Sequence, residues 1–357
     1  MVMDNYVPFL KYKSNEIIAL GELDSNILEC VIPFFDYPRP NDPKTCEEFI
    51  SDVNRLSRSV KKHISNIREM YIDTYDFDGV YEIDGRHSYF YLVNSIEGVD
   101  VIPVVSIDRN IEHLKAVVDL VKNNIVSSDI VALRITAEDF SNYSVVEDEI
   151  KELLREVLEA FLEVDLIFDC RFCASEDPEQ ISQRIVDFSG LFSNDYTVRR
   201  RIVTGSSIPA SVGDVLAVNS ECNIEKKEIE IFKNVIDYFD DVNFIYGDYG
   251  IVSPNYSDVN IMPEMMQNIM TAKLIYTYDN NHYFIRGGSL KTNGYEQYFD
   301  LAETLCAKPF FRGADYSAGD AYFEEKSRRE GSNCMPGTII KPSVNAHITY
   351  IVRDCVI

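Results

Sequence analysis

Ile130-Val-Ala-Leu-Arg-Ile135, the segment from Val146 to Leu162, and Val164-Asp-Leu-Ile-Phe168 together decide the fold. The two short runs are apolar and rich in β-branched residues, as strands buried on both faces require. Between them lies the clearest amphipathic helix of the chain. A strand, a crossover helix and a second strand make one β/α unit of a parallel sheet.

The same alternation extends in both directions. Toward the N-terminus, Val101–Val105 reads as a buried strand followed by a helix over Ile111–Val121. Tyr71–Ile72 is a short strand, and Tyr75–Tyr91 reads as a hairpin-like excursion. A helix with Phe49, Val53, Leu56, Val60 and Ile64 at helical spacing starts from Thr45 as N-cap, after a break through Pro38, Pro40 and Pro43. Cys30–Phe35 and Val7–Leu10 are the first two strands, with a helical stretch over Ile17–Leu23 between them. Toward the C-terminus come a helix at Ile181–Phe192, a strand at Val198–Val203, a helix at Ile224–Phe239 and a strand at Val242–Tyr246.

About eight strands in parallel order is the number at which a sheet closes. The expected fold is therefore a (β/α)₈ TIM-type barrel formed by residues 1–261. Residues 262–357, with strands at Leu274–Tyr278 and Ile348–Val352, are expected to complete and cap it within the same domain. The competing open sheet of a dinucleotide-binding fold wants a glycine-rich first turn, and here that turn reads Lys13-Ser-Asn-Glu16.

The 357 residues are 46% hydrophobic and 26% charged, ordinary globular values, and carry a formal net charge of −25. That field disfavours non-specific binding to nucleic acid or anionic membranes and favours basic partners. Eight cysteines without a regular framework point to reduced thiols and a cytoplasmic setting. The N-terminus has no basic segment leading into an apolar stretch, and no run suits a membrane span, so neither leader nor membrane is expected.

In such a barrel the residues after each strand converge on one face. Read in order these are Lys11, Asp36, Asp73, Asp108 with Arg109, Arg134, Asp169 with Arg171, Ser206 with Ser207, and Asp248 with Tyr249. Carboxylates among cations can hold a metal, bind phosphate or run acid–base chemistry. Asp at a strand end also caps helices and forms turns, so each residue has a structural reading beside the functional one.

Other motifs are incomplete. Cys170-Arg-Phe-Cys173 lacks a second pair at zinc spacing and reads as buried thiols. The five histidines form no metal-binding spacing; His347 is singled out because it begins the expected terminal strand. No nucleophile elbow and no P-loop occur. Arg199, Arg200 and Arg201 are consecutive on a strand, so only some of them can point into the barrel.

Tyr6-Val-Pro-Phe-Leu-Lys-Tyr-Lys13, Asn15-Glu-Ile-Ile-Ala-Leu20, Ile32-Pro-Phe-Phe-Asp36, Phe244-Ile-Tyr-Gly-Asp-Tyr-Gly250, Tyr316-Ser-Ala-Gly-Asp320 and Asn345-Ala-His-Ile-Thr-Tyr-Ile-Val352 resemble segments of the beta protein family, found in bacteria and their phages. The chain departs from that family in having no Trp. The resemblance implies a barrel-like fold and a setting in phage–host conflict, and it carries no chemistry or cofactor.

Lys11, Arg134, Asp169, Asp248, Tyr249 and His347 are the residues expected to meet at the barrel mouth, with no metal site among them. The expected function is a component of anti-phage defence or counter-defence that binds a protein or ligand there. The alternative is a metal-assisted enzyme acting on a phosphorylated small molecule or phosphodiester. A third reading makes the Tyr-rich Tyr276–Tyr283 stretch an oligomer interface.

Overall fold

The structure, a computed structural model, describes residues 5–40, 44–77, 79, 81–239, 243–256 and 270–356. Eight parallel strands close into a barrel. They are β1 (Tyr6–Lys11), β2 (Phe34–Asp36), β3 (Glu69–Asp73), β6 (Asp100–Val105), β7 (Ile130–Thr136), β8 (Glu163–Phe172), β9 (Val198–Ser206) and β11 (Phe244–Asp248). Each pairs with the next in chain order, and β1 pairs with β11 through Tyr6 opposite Tyr246, which closes the ring and excludes the open sheet.

The helices of the barrel are α1 (Ser14–Gly21), α2 (Ser25–Leu28), α3 (Cys46–His63), α4 (Ser88–Asn94), α5 (Ile111–Lys122), α6 (Tyr143–Val157), α7 (Pro178–Asp195) and α8 (Lys227–Asp237). Thr45 caps α3 as expected, in a reciprocal capping box with Glu48. The hairpin expected within Tyr75–Tyr91 is β4 (Glu82–Ile83) with β5 (Arg86–His87), turning through Asp84 and Gly85, both with positive φ.

The rest of the chain forms β10 (Ser220–Glu225), β12 (Thr271–Tyr278), β13 (Asn281–Ser289), α9 (Leu290–Asn293), α10 (Gln297–Cys306), α11 (Ala318–Ser327) and α12 (Ile340–Arg353). β10 lies in the connection from β9 to α8, yet it pairs antiparallel with β13, whose other edge holds β12. The C-terminal sheet is thus sewn to a barrel loop by backbone hydrogen bonds.

Several expected elements differ. Ile348–Val352 is not a strand but the second half of α12, and His347 lies inside that helix. From Pro342 to Val352 every residue is buried, and Ser343, Asn345, His347 and Thr349 alternate with Val344, Ala346, Ile348 and Tyr350, a period of two that reads as a strand. Ile224 belongs to β10, and the helix starts at Lys227. In Cys30–Phe35 only Phe34 and Phe35 fall in β2, with Val31 making an isolated bridge to Tyr6. The helix expected from Val146 to Leu162 runs from Tyr143 to Val157. Pro43, Val242, the first four residues and the boundary at Met262 lie outside the described residues.

Alternation along the strands separates two cores. Val7, Phe9, Phe34, Tyr71, Ile102, Val104, Ala132, Ile167, Ile202 and Ile245 fill the barrel. Their neighbours in sequence pack outward against the helices. The N-terminal end is plugged by charge: Tyr71 donates to Asp165 at 2.6 Å, Arg199 Nε donates to Asp165 at 2.8 Å, and Arg200 pairs with Glu69. A register shift between β8 and β9 leaves Arg199 as an extra residue, so the consecutive Arg199 and Arg200 both reach this plug. Arg201 turns outward to Ser189 and Ser193 on α7.

Candidate functional site

At the carboxyl ends of the strands the barrel interior changes from apolar to ionic. The guanidinium of Arg134, on β7, has no exposed surface and uses all its nitrogens. Nε donates to Asp169 at 3.0 Å; Nη1 donates to Asp36 at 2.7 Å and Asp73 at 2.8 Å; Nη2 donates to Asp169 at 2.6 Å and to the Tyr249 hydroxyl at 2.8 Å. Tyr249 in turn donates to Asp169 at 2.6 Å. A planar fork of five N–H bonds suits such a lattice, which a point-charge ammonium could not fill.

The three carboxyls are not equivalent. Burial pushes Asp36 up, and Arg134 and Lys11 do not fully offset it, so it stays above the ordinary carboxylate range. Burial also pushes Asp73 and Asp169 up. There Arg109 with Arg134, and Arg134 with Arg171, outweigh it and hold both below that range.

A second tier lies nearer solvent. Lys11 Nζ donates to Asp76 at 2.5 Å and lies 3.9 Å from Asp36. Arg171 reaches Asp76 at 3.2 Å, the Tyr249 hydroxyl at 3.3 Å and the Pro254 carbonyl at 2.7 Å. Arg171 sits at φ 52° in the bulge where β8 leaves β9, its N–H tied to Asp169 at 2.9 Å. Left-handed backbone at a non-glycine costs of order 1 kcal/mol, and here it turns a guanidinium over the barrel mouth. Tyr75 is flanked by Arg109, Arg134 and Arg171, with guanidinium carbons 5.0, 4.6 and 4.4 Å from its ring centre. Tyr256 is flanked by Lys11 at 5.0 Å and Arg39 at 4.8 Å.

Lys11, Arg134, Asp169 and Tyr249 therefore meet at the mouth as expected; Asp248 and His347 do not. Asp248 points to the other side of the barrel wall, into a buried polar joint with the C-terminal segment. Tyr6 donates to its Oδ1 at 2.5 Å, Tyr246 to its Oδ2 at 3.0 Å, the Gly250 N–H to Oδ1 at 2.9 Å, and Lys226 forms an ion pair with Oδ2. His347 Nε2 lies 3.0 Å from Oδ1, and its Nδ1 lies 2.7 Å from Thr277, which also meets His282 at 3.1 Å. Burial keeps the His347 imidazole below its ordinary pKa despite the neighbouring Asp248 carboxylate. For Asp248, burial is outweighed by His347 and Lys226, which leaves it well below the carboxylate range.

Asp108 and Arg109 stand at the edge of the mouth, where Arg109 donates to Asp73 at 2.8 Å. Ser207 belongs to the joint, donating to Glu228 at 2.6 Å, while Ser206 bonds the Val252 carbonyl at 3.2 Å. Cys170 and Cys173 are buried free thiols. Sequence reading missed Tyr75, Asp76 and Tyr256 at the mouth, and Lys226, Glu228 and Thr277 at the joint. Tyr75 and Asp76 stand two and three residues beyond the end of β3, and the others lie on segments away from the barrel strand ends. Among the described residues no three His, Cys, Asp or Glu side chains converge as metal ligands. Asp36, Asp73 and Asp169 converge on a guanidinium instead.

No helix among the described residues is long and apolar enough to cross a membrane. A family model described as Beta protein matches residues 6–353, nearly the whole chain. No curated protein matches it.

Proposed function

The chain belongs to the Beta protein family, and from that premise we propose that it is a binding component of a phage–host conflict system, recognising a protein or ligand at the barrel mouth. The observation that carries this reading is the saturation of Arg134. All its donors are spent on Asp36, Asp73, Asp169 and Tyr249, so the floor of the mouth is a fixed ionic lattice. Such a floor pre-organises the buried Lys11 and the partly exposed Arg109 and Arg171 above it. The buried thiols of Cys170, Cys173, Cys334 and Cys355 support a reducing, cytoplasmic setting, and the net charge of −25 favours a partner with basic surfaces outside the mouth.

The test is phage plating on bacteria expressing the wild-type chain or Arg171→Gln, with affinity capture from infected cells. The expected result is a plating difference of at least tenfold that Arg171→Gln abolishes while its melting temperature stays within a few degrees. Equal plating with and without the wild-type chain, across a phage panel, sinks the reading.

A second reading, an enzyme acting on a phosphorylated molecule, is favoured by the unequal carboxyls around Arg134. A raised Asp36 beside lowered Asp73 and Asp169 is the pairing of an acid with bases. Turnover of a phosphorylated substrate lost in Asp36→Asn would establish it.

A further inference from the structure

Asp76 stands apart from the other carboxylates of the mouth. Asp36, Asp73 and Asp169 lie on strands and hold Arg134 from below. Asp76 comes from the loop after β3, fixed by Phe77, whose ring packs 5.0 Å from Tyr37 and 5.4 Å from Phe49. Its two oxygens go to two cations from separate strands: Oδ2 to Lys11 of β1 at 2.5 Å, and Oδ1 to Arg171 of β8 at 3.2 Å. A single carboxylate bridging a lysine and an arginine at a barrel mouth has the geometry of a bound oxyanion.

Arg39 is exposed and stacks 4.8 Å from the Tyr256 ring centre, the same ring that Lys11 faces at 5.0 Å. Among the described residues no carboxylate pairs with Arg39. Lys11 and Arg171 thus share one loop carboxylate, Lys11 also lying 3.9 Å from Asp36, and Arg39 stands across the Tyr256 ring from Lys11.

We infer that Asp76 stands in for the phosphoryl group of a ligand, which displaces it and binds between Lys11 and Arg171 with Arg39 at the rim. The inference rests on the mouth being the binding site, and it names the ligand's chemistry. A phosphoryl group carries close to two charges and three acceptor oxygens, against one charge and two oxygens on Asp76, so it matches the three cations better. No bond is made or broken.

Isothermal titration at pH 7.5 and low salt, with pyrophosphate as probe and citrate as the carboxylate control, tests this. Asp76→Asn removes the competing charge while keeping the shape, and should bind pyrophosphate at least tenfold more tightly than wild type. Arg39→Gln changes an exposed side chain, leaves the fold unaltered, and should weaken binding severalfold. Arg200→Gln, at the opposite end of the barrel, should bind as wild type does. Asp76→Asn binding no more tightly than wild type, or citrate binding as well as pyrophosphate, overturns the inference. Should Asp76→Asn melt well below wild type, Arg39→Gln decides alone, and unchanged affinity in it counts against the site. Pyrophosphate binding without any plating phenotype would retire the conflict role and leave this inference standing. A plating phenotype without anion binding would do the reverse.

Discussion

Asp248 and Tyr249 are adjacent in the chain and face opposite sides of the barrel wall: Tyr249 donates inward to Asp169 at 2.6 Å, and Asp248 pairs outward with Lys226. Replacing them should have different consequences. Asp248→Asn leaves Lys226 charged with only Glu228, 3.3 Å away, and should cost about 3–5 kcal/mol in urea unfolding at pH 7. Tyr249→Phe removes one hydroxyl from a saturated lattice and should cost about 1–3 kcal/mol. An Asp248→Asn variant as stable as wild type would show the joint to be wrongly assigned.

Arg134→Met should be the most damaging single change at the mouth. It removes the one cation that Asp36, Asp73 and Asp169 share in the buried floor of the mouth, at a cost of about 3–5 kcal/mol. Adding Asp169→Asn to it should recover part of the loss, since one fewer charge is left uncompensated. Additivity of the two changes in denaturant unfolding would argue against a shared lattice.

Gly319→Ala tests the contact between α11 and α12. A Cβ there would lie 2.2 Å from the Pro342 carbonyl oxygen and 2.8 Å from the Ala346 nitrogen. Backbone has to move, and a loss of about 1–3 kcal/mol or more is expected. A melting temperature equal to wild type would exclude this close approach.

His282 should make stability depend on pH. Burial, with Lys226 adding to it, brings its imidazole down to about 4 from the ordinary 6.5. Below 6.5 the unfolded chain gains a proton that the folded chain refuses. The contribution is therefore present above that pH and is lost as the pH falls toward 4. Roughly 2 kcal/mol should disappear between pH 6.5 and 5. The stability gap between wild type and His282→Asn should shrink accordingly on acidification; a gap independent of pH would mean His282 titrates normally.

Glu16 has the opposite sign. It is buried on α1, its Oε2 without a hydrogen-bond partner among the described residues, and burial pushes its carboxyl up to about 7. The folded chain keeps a proton there that the unfolded chain loses above 4.5, so its contribution is present at low pH and lost as the pH rises through 7. Glu16→Gln should raise stability at pH 8 by about 1–3 kcal/mol and have little effect at pH 4. No gain at pH 8 would place the carboxylate in contact with solvent.

The residues that carry the family resemblance divide between two tasks. Lys11 and Tyr249 are at the mouth. Tyr316–Asp320 and Asn345–Val352 hold the C-terminal segment to the barrel. Asn345 accepts from the Gly319 N–H at 2.8 Å and donates to the Ala19 carbonyl at 3.1 Å, joining α11, α12 and α1. Tyr276 donates to Asp320 at 2.5 Å across the same layer. A motif match made these residues look like one functional group, and the packing makes many of them a joint.

The strand-by-strand alternation, the Thr45 cap and the polar strand ends were legible because each is set within a few residues: a buried strand needs apolar residues on both faces, and an N-cap needs an oxygen beside the first free N–H groups. Which strand ends share an interior was not local. Arg134 and Asp36 are 98 residues apart, and Asp248 and His347 are 99 apart. The sequence by itself determined a closed β/α barrel with charge at its mouth. Barrel closure, the bulges of β8 and β9 and the seating of α12 decided which charges meet. Side chains alternate every residue along a strand, so a one-residue shift sends a carboxylate to the opposite face of the wall.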